Sequence, residues 1–301
     1  MTKTKDTVKQ HYIPQVYLRG FSPEYEKAKR KEIDKRRCTI YLYDLSDGQR
    51  NNEEIKDICY EDYLYEVTGN NGEYVVFNHL EKILGFFEQK FSDFRRKLEA
   101  KVFYEENYKT GSFLTREEKD FWIVYIAIQL LRSPSILRSA EEFNKEFFGE
   151  KVSDAQARNI SRLFCLPFFK EIDENSEEAF VFQAIVEPMM KMSFAVGVDR
   201  KGSIITSDET MYIYSSEIPC QEYGKVIFPI TANICLILLG GEEKRKHKRR
   251  NFLFPISDEK RDEIFWSIVY SARERIYANH PLDKHERLLV KKALKDRESE
   301  V

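Results

Sequence analysis

The chain has 301 residues, 42% hydrophobic and 33% charged, with 22 Phe, 17 Tyr and a formal charge of −2. That apolar and aromatic content excludes disorder and implies a core built heavily on rings. No apolar run approaches the ~20 residues of a membrane helix, and the start MTKTKDTVKQHY lacks the apolar stretch of a secretory signal, so the expectation is one domain over 1–301 in the reducing cytoplasm.

In chain order, residues 10–21 (QHYIPQVYLRGF) predict one short helix, with Pro14 at its first position and Gly20 at its stop. Residues 27–37 are dense in Lys and Arg. Residues 39–45 and 63–67 are β-branched and aromatic, and read as strands of a small N-terminal hairpin element. From Asn78 the spacing Leu80, Leu84, Phe87, Phe91, Phe94, Leu98 alternates steps of four and three, the stripe of a long helix. Thr115 and Glu118 form a capping-box signature ahead of FWIVYIAIQLL, a helix apolar nearly all round and therefore central. Pro134 ends or kinks that helix, a second runs to Gly149, and Ser153 with Gln156 and Asn175 with Glu178 open two more, the last kinked near Pro188.

After Gly197 the period falls towards two. Residues 203–207, 211–215, 225–231, 234–239 and 251–254 predict an antiparallel meander, Ser257 caps a helix through Tyr277, and Asp283 with Glu286 opens a charged terminal one. The fold class is α+β, a mainly helical body with an N-terminal β-hairpin element and a C-terminal antiparallel meander. Cys38, Cys59, Cys165, Cys220 and Cys235 form no close pair, so neither a CxxC metal site nor a disulfide framework is expected.

Gln10 to Phe21, Glu61-Asp62-Tyr63-Leu64-Tyr65, Gln129-x-x-Arg132-x-Pro134, Ile205-Thr206-Ser207-Asp208 and Phe228-Pro229-Ile230-Thr231 occur in one order along the chain. In that order the chain resembles the bacterial domain-of-unknown-function family numbered 4238, over residues 9–278, with 279–301 as a charged terminal helix. Glu209-Thr210 stands where the family pattern has Asn-Pro. The resemblance implies no activity, so chemistry rests on the residues.

His11, just outside a helix N-terminus, is held neutral there and is suited to be a base or a metal ligand; the bland alternative is a ring that caps the helix or packs on Tyr12. Asp208 ends a short apolar strand, where either a catalytic carboxylate or an ordinary turn former belongs. Gln129 and Arg132 share a face of an apolar helix that tolerates them only with partners, so Arg132 either pairs with a carboxylate or holds an anion. The run 244–250 (KRKHKRR) reads as a long hairpin tip; Lys244, Arg245, Lys246, Lys248, Arg249 and Arg250 are weak candidates for nucleic-acid contact, with a solvated loop the alternative. Arg275-x4-His280 is similar in spacing to the motif of helical RNases of the HEPN type, but Pro281 disfavours helix at His280 and takes the pair off a common face.

Two functional readings follow. One is a hydrolase of phosphodiesters or nucleotides, in which His11 and Asp208 are catalytic or hold Mg²⁺ or Mn²⁺, and Arg132, Gln129, Arg19, Thr206 and Ser207 bind phosphate. The other is a non-catalytic nucleic-acid-binding or regulatory protein, in which His11, Arg132 and Asp208 form a structural network. Whether those three line an open pocket or interlock in a closed core discriminates between them.

Overall fold

The computed structural model describes residues 8–69, 74–76, 78–104, 113–149, 152–163, 182–215, 223–246 and 250–299. At the N-terminus β1 (Lys9–His11) leads through Pro14 into α1 (Gln15–Leu18), one turn that tightens to a 3-10 turn at Arg19–Phe21. Pro14 is the N-cap, so the predicted single helix is shorter and begins after a strand. α2 (Tyr25–Lys29) and a 3-10 turn at Lys35–Arg37 carry the first basic run. β2 (Thr39–Asp44) and β3 (Arg50–Glu54) pair as a hairpin, and β4 (Tyr60–Asp62) returns to pair with β1. The strand predicted over 63–67 is largely a turn: Tyr63 has φ +55°, which breaks an extended run, and only β5 (Val67–Thr68) is a strand, paired with β6 (Tyr74–Val76).

The helical body follows its sequence signals closely. α3 (His79–Tyr104) carries the four-three stripe, and α4 (Arg116–Leu131) starts at a complete capping box of Thr115 and Glu118. Phe94 stacks on Phe121 at 4.0 Å and Phe91 on Tyr125 at 4.5 Å, so rings clamp the two helices. Ser133 caps α5 (Pro134–Phe148), with Pro134 in the first turn where its missing N–H costs nothing. α6 (Asp154–Leu163) begins at the predicted Ser153 cap, whose hydroxyl and N–H exchange hydrogen bonds with Gln156; the start predicted at Asn175 lies outside the described residues. Near Pro188 a π-turn at Phe182–Val186 runs into α7 (Glu187–Met190).

The C-terminal part holds β7 (Ser193–Val198), β8 (Thr206–Ser207), β9 (Tyr212–Ser215), β10 (Tyr223–Thr231), β11 (Ile234–Leu239), α8 (Gly241–Lys246), β12 (Asn251–Pro255), α9 (Asp258–Ser271), β13 (Arg275–Ala278) and α10 (Lys284–Ser299). Two findings depart from the predicted meander. The five-stranded sheet has the order β12-β7-β11-β10-β9, antiparallel except that β12 lies parallel to β7. With β7 between them, β11 and β12 form no hairpin, so the basic run that follows β11 is no hairpin tip. The helix predicted through Tyr277 stops at Ser271, and β13 instead joins a four-stranded sheet of order β3-β2-β13-β8. β7 itself had no alternating signal, because all six of its residues are buried.

One hydrophobic cluster runs from Ile13 to Ala293. Tyr17 ties the N-terminal motif into it, packed on Phe21, Phe91 and, at 5.5 Å, on Phe228 of β10. Gly20 is required at this junction, since a Cβ there would lie 2.9 Å from the Ile230 carbonyl. Cys38, Cys59 and Cys235 are buried and unpaired; Cys165 and Cys220 lie outside the described residues. Among the described residues no helix is long and apolar enough to cross a membrane.

Candidate functional site

Tyr12 and Glu61 from the paired β1 and β4 region, Pro134 at the start of α5 and Asp208 after β8 meet around one open cleft of about 100 Å³. Each comes from a different one of the motifs that suggested a site. The convergence is built by Tyr17, whose hydroxyl donates to the Thr210 carbonyl at 3.2 Å and lies 2.8 Å from the Thr206 hydroxyl, drawing the N-terminal motif against β8.

Asp208 is spent largely on the backbone. Its carboxylate accepts from the N–H groups of Arg273, Glu274 and Arg275 at 2.9, 2.8 and 3.2 Å, fixing the entry of β13. Burial pushes its carboxyl up to about 6, beyond what those donors pull back, and the neighbouring Glu209 adds to the rise. The other carboxylates of the cleft, Glu61, Glu209 and Glu274, outnumber its two cations. Both cations are already paired, Arg138 with Glu61 and Arg273 with Glu209 at 3.4 Å. The cleft is thus suited to proton transfer and ill suited to a phosphate. Thr210 has φ +57°, closed to proline, so this turn differs from the one an Asn-Pro pair would make.

His11 and Asp208 turn to different neighbours. The imidazole Nε2 lies 3.3 Å from the Lys56 carbonyl and from the Gln15 amide, and its ring sits 5.6 Å from that of Tyr60. Burial, together with the Arg132 charge, lowers its pKa, so the ring is neutral at pH 7. The expected neutrality comes from desolvation and not from a one-turn helix. Among the described residues no group of three or more His, Cys, Asp or Glu is placed to hold a metal ion.

Arg132 is fully enclosed, 1% exposed. Its Nε donates to the Tyr65 hydroxyl at 3.2 Å, Nη1 to Glu88 at 3.2 Å, and Nη2 to the backbone carbonyl of His11. This is the structural-pairing alternative, with Glu88 of α3 the carboxylate that the sequence left unassigned. Gln129 is buried beside it, and its amide has no hydrogen-bond partner among the described residues. Thr206 and Ser207, expected at a phosphate, are fully buried, with the Thr206 hydroxyl against that of Tyr17.

Arg19 goes elsewhere. It lines a second cleft, of about 250 Å³, between α1, α2 and α3, together with Lys29, Lys31, Lys35, Arg95 and Arg96 and with no carboxylate among the lining residues. The run 27–37 supplies three of these cations because its two acids are taken: Glu32 pairs with Arg30 at 2.6 Å and Asp34 with Arg36 at 2.8 Å. Sequence reasoning missed Arg95 and Arg96; Arg96 sits on the exposed face of α3, and Arg95 is buried beside a stripe read only for its apolar residues. In the second basic run, Lys244 donates to the Lys191 carbonyl and Lys246 pairs with Glu243, each within the chain; Arg250 donates to the Ser193 hydroxyl at 3.4 Å. Residues 247–249, with Lys248 and Arg249, lie outside the described residues.

The family model described as Protein of unknown function (DUF4238) matches residues 9–281. The chain belongs to that family. In this DUF4238 member the matched span takes in both clefts and ends just before α10. No curated protein and no solved structure matches the chain.

Proposed function

We propose that this chain is a non-catalytic binding protein of the reducing cytoplasm whose ligand carries phosphate, and that His11, Arg132 and Asp208 belong to its frame. One observation carries the reading: Arg132 is consumed by internal partners, while Arg19, Lys31, Lys35 and Arg95 share an open cleft with no carboxylate among its described lining residues. A phosphate group is the ligand that completes such a set, because arginine forks match its geometry and buried cations require compensation. Buried free thiols at Cys38, Cys59 and Cys235 fit the same compartment.

The test is binding measured by fluorescence anisotropy on labelled nucleotide and oligonucleotide across a salt titration, with affinity expected to fall as salt rises. His11→Ala and Asp208→Ala are expected to unfold at lower temperature, by about 1 to 3 kcal/mol of stability, with affinity unchanged in the folded protein.

A second reading is favoured by Asp208 alone. A carboxyl held at about 6 in an open cleft is matched to acid–base work near neutral pH, as in a phosphodiester hydrolase. Turnover of a nucleotide or nucleic acid, with or without Mg²⁺ or Mn²⁺, that vanishes in a folded Asp208→Asn protein would establish it over the first.

A further inference from the structure

Arg95 is the unusual group in the cationic cleft. It is 5% exposed, its Nη1 donates to the Val16 carbonyl at 2.7 Å, and its guanidinium lies over the rings of Tyr25 and Phe91 at 5.0 and 5.2 Å. Its Nε has no acceptor, and no described residue forms an ion pair with it. Glu99, four residues on along α3 and also buried, stands where it would neutralise Arg95. Its carboxylate instead accepts from the Tyr25 hydroxyl at 2.5 Å and pairs with Lys29 at 3.1 Å. A buried guanidinium without an anion is costly, and it is offset when a ligand supplies the missing charge.

The rest of the wall adds to this demand. Arg19 makes no ion pair among the described residues, and its pKa is lowered by burial and by the Arg95 charge beside it. Lys31 and Lys35 likewise face the cleft without a carboxylate, whereas Lys29 has Glu99 and Arg96 has Asp93. Arg95 is buried, Arg19 half-buried and Lys31 and Lys35 exposed at the rim, so four cations converge on the cleft with no ion pair among the described residues. One phosphodiester linkage brings a single negative charge and one orthophosphate about 1.5 to 2, whereas a diphosphate brings more charge and enough oxygens to reach both the buried Arg95 and the rim cations. At about 250 Å³ the cleft is also smaller than the roughly 300 to 1,000 Å³ of sites that enclose whole drug-sized ligands.

We infer that the cleft is a diphosphate site, in which Arg95 is the buried anchor at its floor and Arg19, Lys31 and Lys35 close on the outer oxygens. The inference rests on the phosphate-binding reading above and specifies its ligand. Inorganic pyrophosphate and the diphosphate end of a nucleotide share this chemistry.

The experiment is titration calorimetry of the full chain, in phosphate-free buffer, with inorganic pyrophosphate, orthophosphate, ADP and a single-stranded oligonucleotide. Pyrophosphate is expected to bind about tenfold or more tightly than orthophosphate and to raise the melting temperature. Arg19→Gln and the double variant Lys31→Gln, Lys35→Gln are each expected to weaken it about tenfold without lowering the melting temperature of the free protein, since neither side chain carries an internal ion pair. With Arg19 half-buried and Lys31 and Lys35 exposed, these positions keep the test valid even if Arg95→Gln fails to fold. ADP that binds as tightly as pyrophosphate identifies a nucleotide end, and weaker ADP identifies the free diphosphate; both support the site. Orthophosphate binding as well as pyrophosphate, or pyrophosphate affinity untouched by the variants, would overturn the diphosphate site while leaving phosphate binding in place. Oligonucleotide binding without pyrophosphate binding would overturn it in favour of a nucleic acid. Failure of all four ligands to bind would remove both the site and the reading beneath it.

Discussion

Asp208 shows how one side chain reads differently in sequence and in space. A carboxylate at a strand end suggests a reactive group, yet its oxygens gather the N–H groups of residues 273–275, from a segment more than sixty positions away. Its carboxyl is raised from 3.8 to about 6, so the folded chain holds this proton more tightly than the unfolded chain does. Its contribution to stability is therefore complete below pH about 4 and is lost as the pH rises from about 4 to about 6. Denaturation midpoints followed across that window are expected to fall in the parent and to change less in Asp208→Asn. A drop of equal size in both proteins would assign the titration to another group. Gly20 makes a sharper case, because a Cβ there would press on the β10 backbone at Ile230. Gly20→Ala is expected to cost about 1 to 3 kcal/mol, read by thermal unfolding, since backbone cannot rotate away as a side chain would.

At the scale of elements, α3 was legible from its stripe and α4 from its capping box, and the end of α4 was legible from Pro134. What Arg132 does there was left open by the sequence, as either a pair or an anion site. Its three donors now bind α4 to α3 through Glu88 and to the N-terminal motif through the His11 carbonyl and Tyr65. Arg132→Met is expected to destabilise by about 3 kcal/mol or more, as when one partner of an enclosed network is removed. Glu88→Gln should cost only about 1 kcal/mol, because that carboxylate is 28% exposed and water can replace its partner in part. Chemical denaturation of the two variants checks the order, and equal losses would mean that Glu88 is the true anchor. The elements that were misread share a cause. Residues 63–65 and 275–278 carry β-formers or helix-formers whose local preference was overridden, in the first by a left-handed Tyr63 and in the second by pairing with β2 and β8.

For the whole molecule, strand order decides which charged runs can matter. Had β11 and β12 formed a hairpin, the 244–250 run would project from its tip; with β12 parallel to β7, residues 244–246 lie in α8, with Lys244 and Lys246 bonded internally. Replacing Lys244, Arg245 and Lys246 by Ser is expected to shift stability by no more than about 0.5 kcal/mol and to leave pyrophosphate affinity unchanged. A loss of affinity in that variant would move the anion site from α3 to α8. The sequence by itself determined the α+β class, the long helices, the caps of α4 and α9 and the strands β2 and β8 to β12, because periodicity and capping are local and are set by residues within a turn or two of one another. Only the tertiary structure decided the site. From sequence, Arg95 has Glu99 at the favourable helical spacing of four and would be written off as a paired surface charge. The fold gives Glu99 to Tyr25 and Lys29 and gives Glu88 to Arg132, so Arg95 is left buried and unpaired, a condition set by long-range competition for carboxylates that no local pattern records.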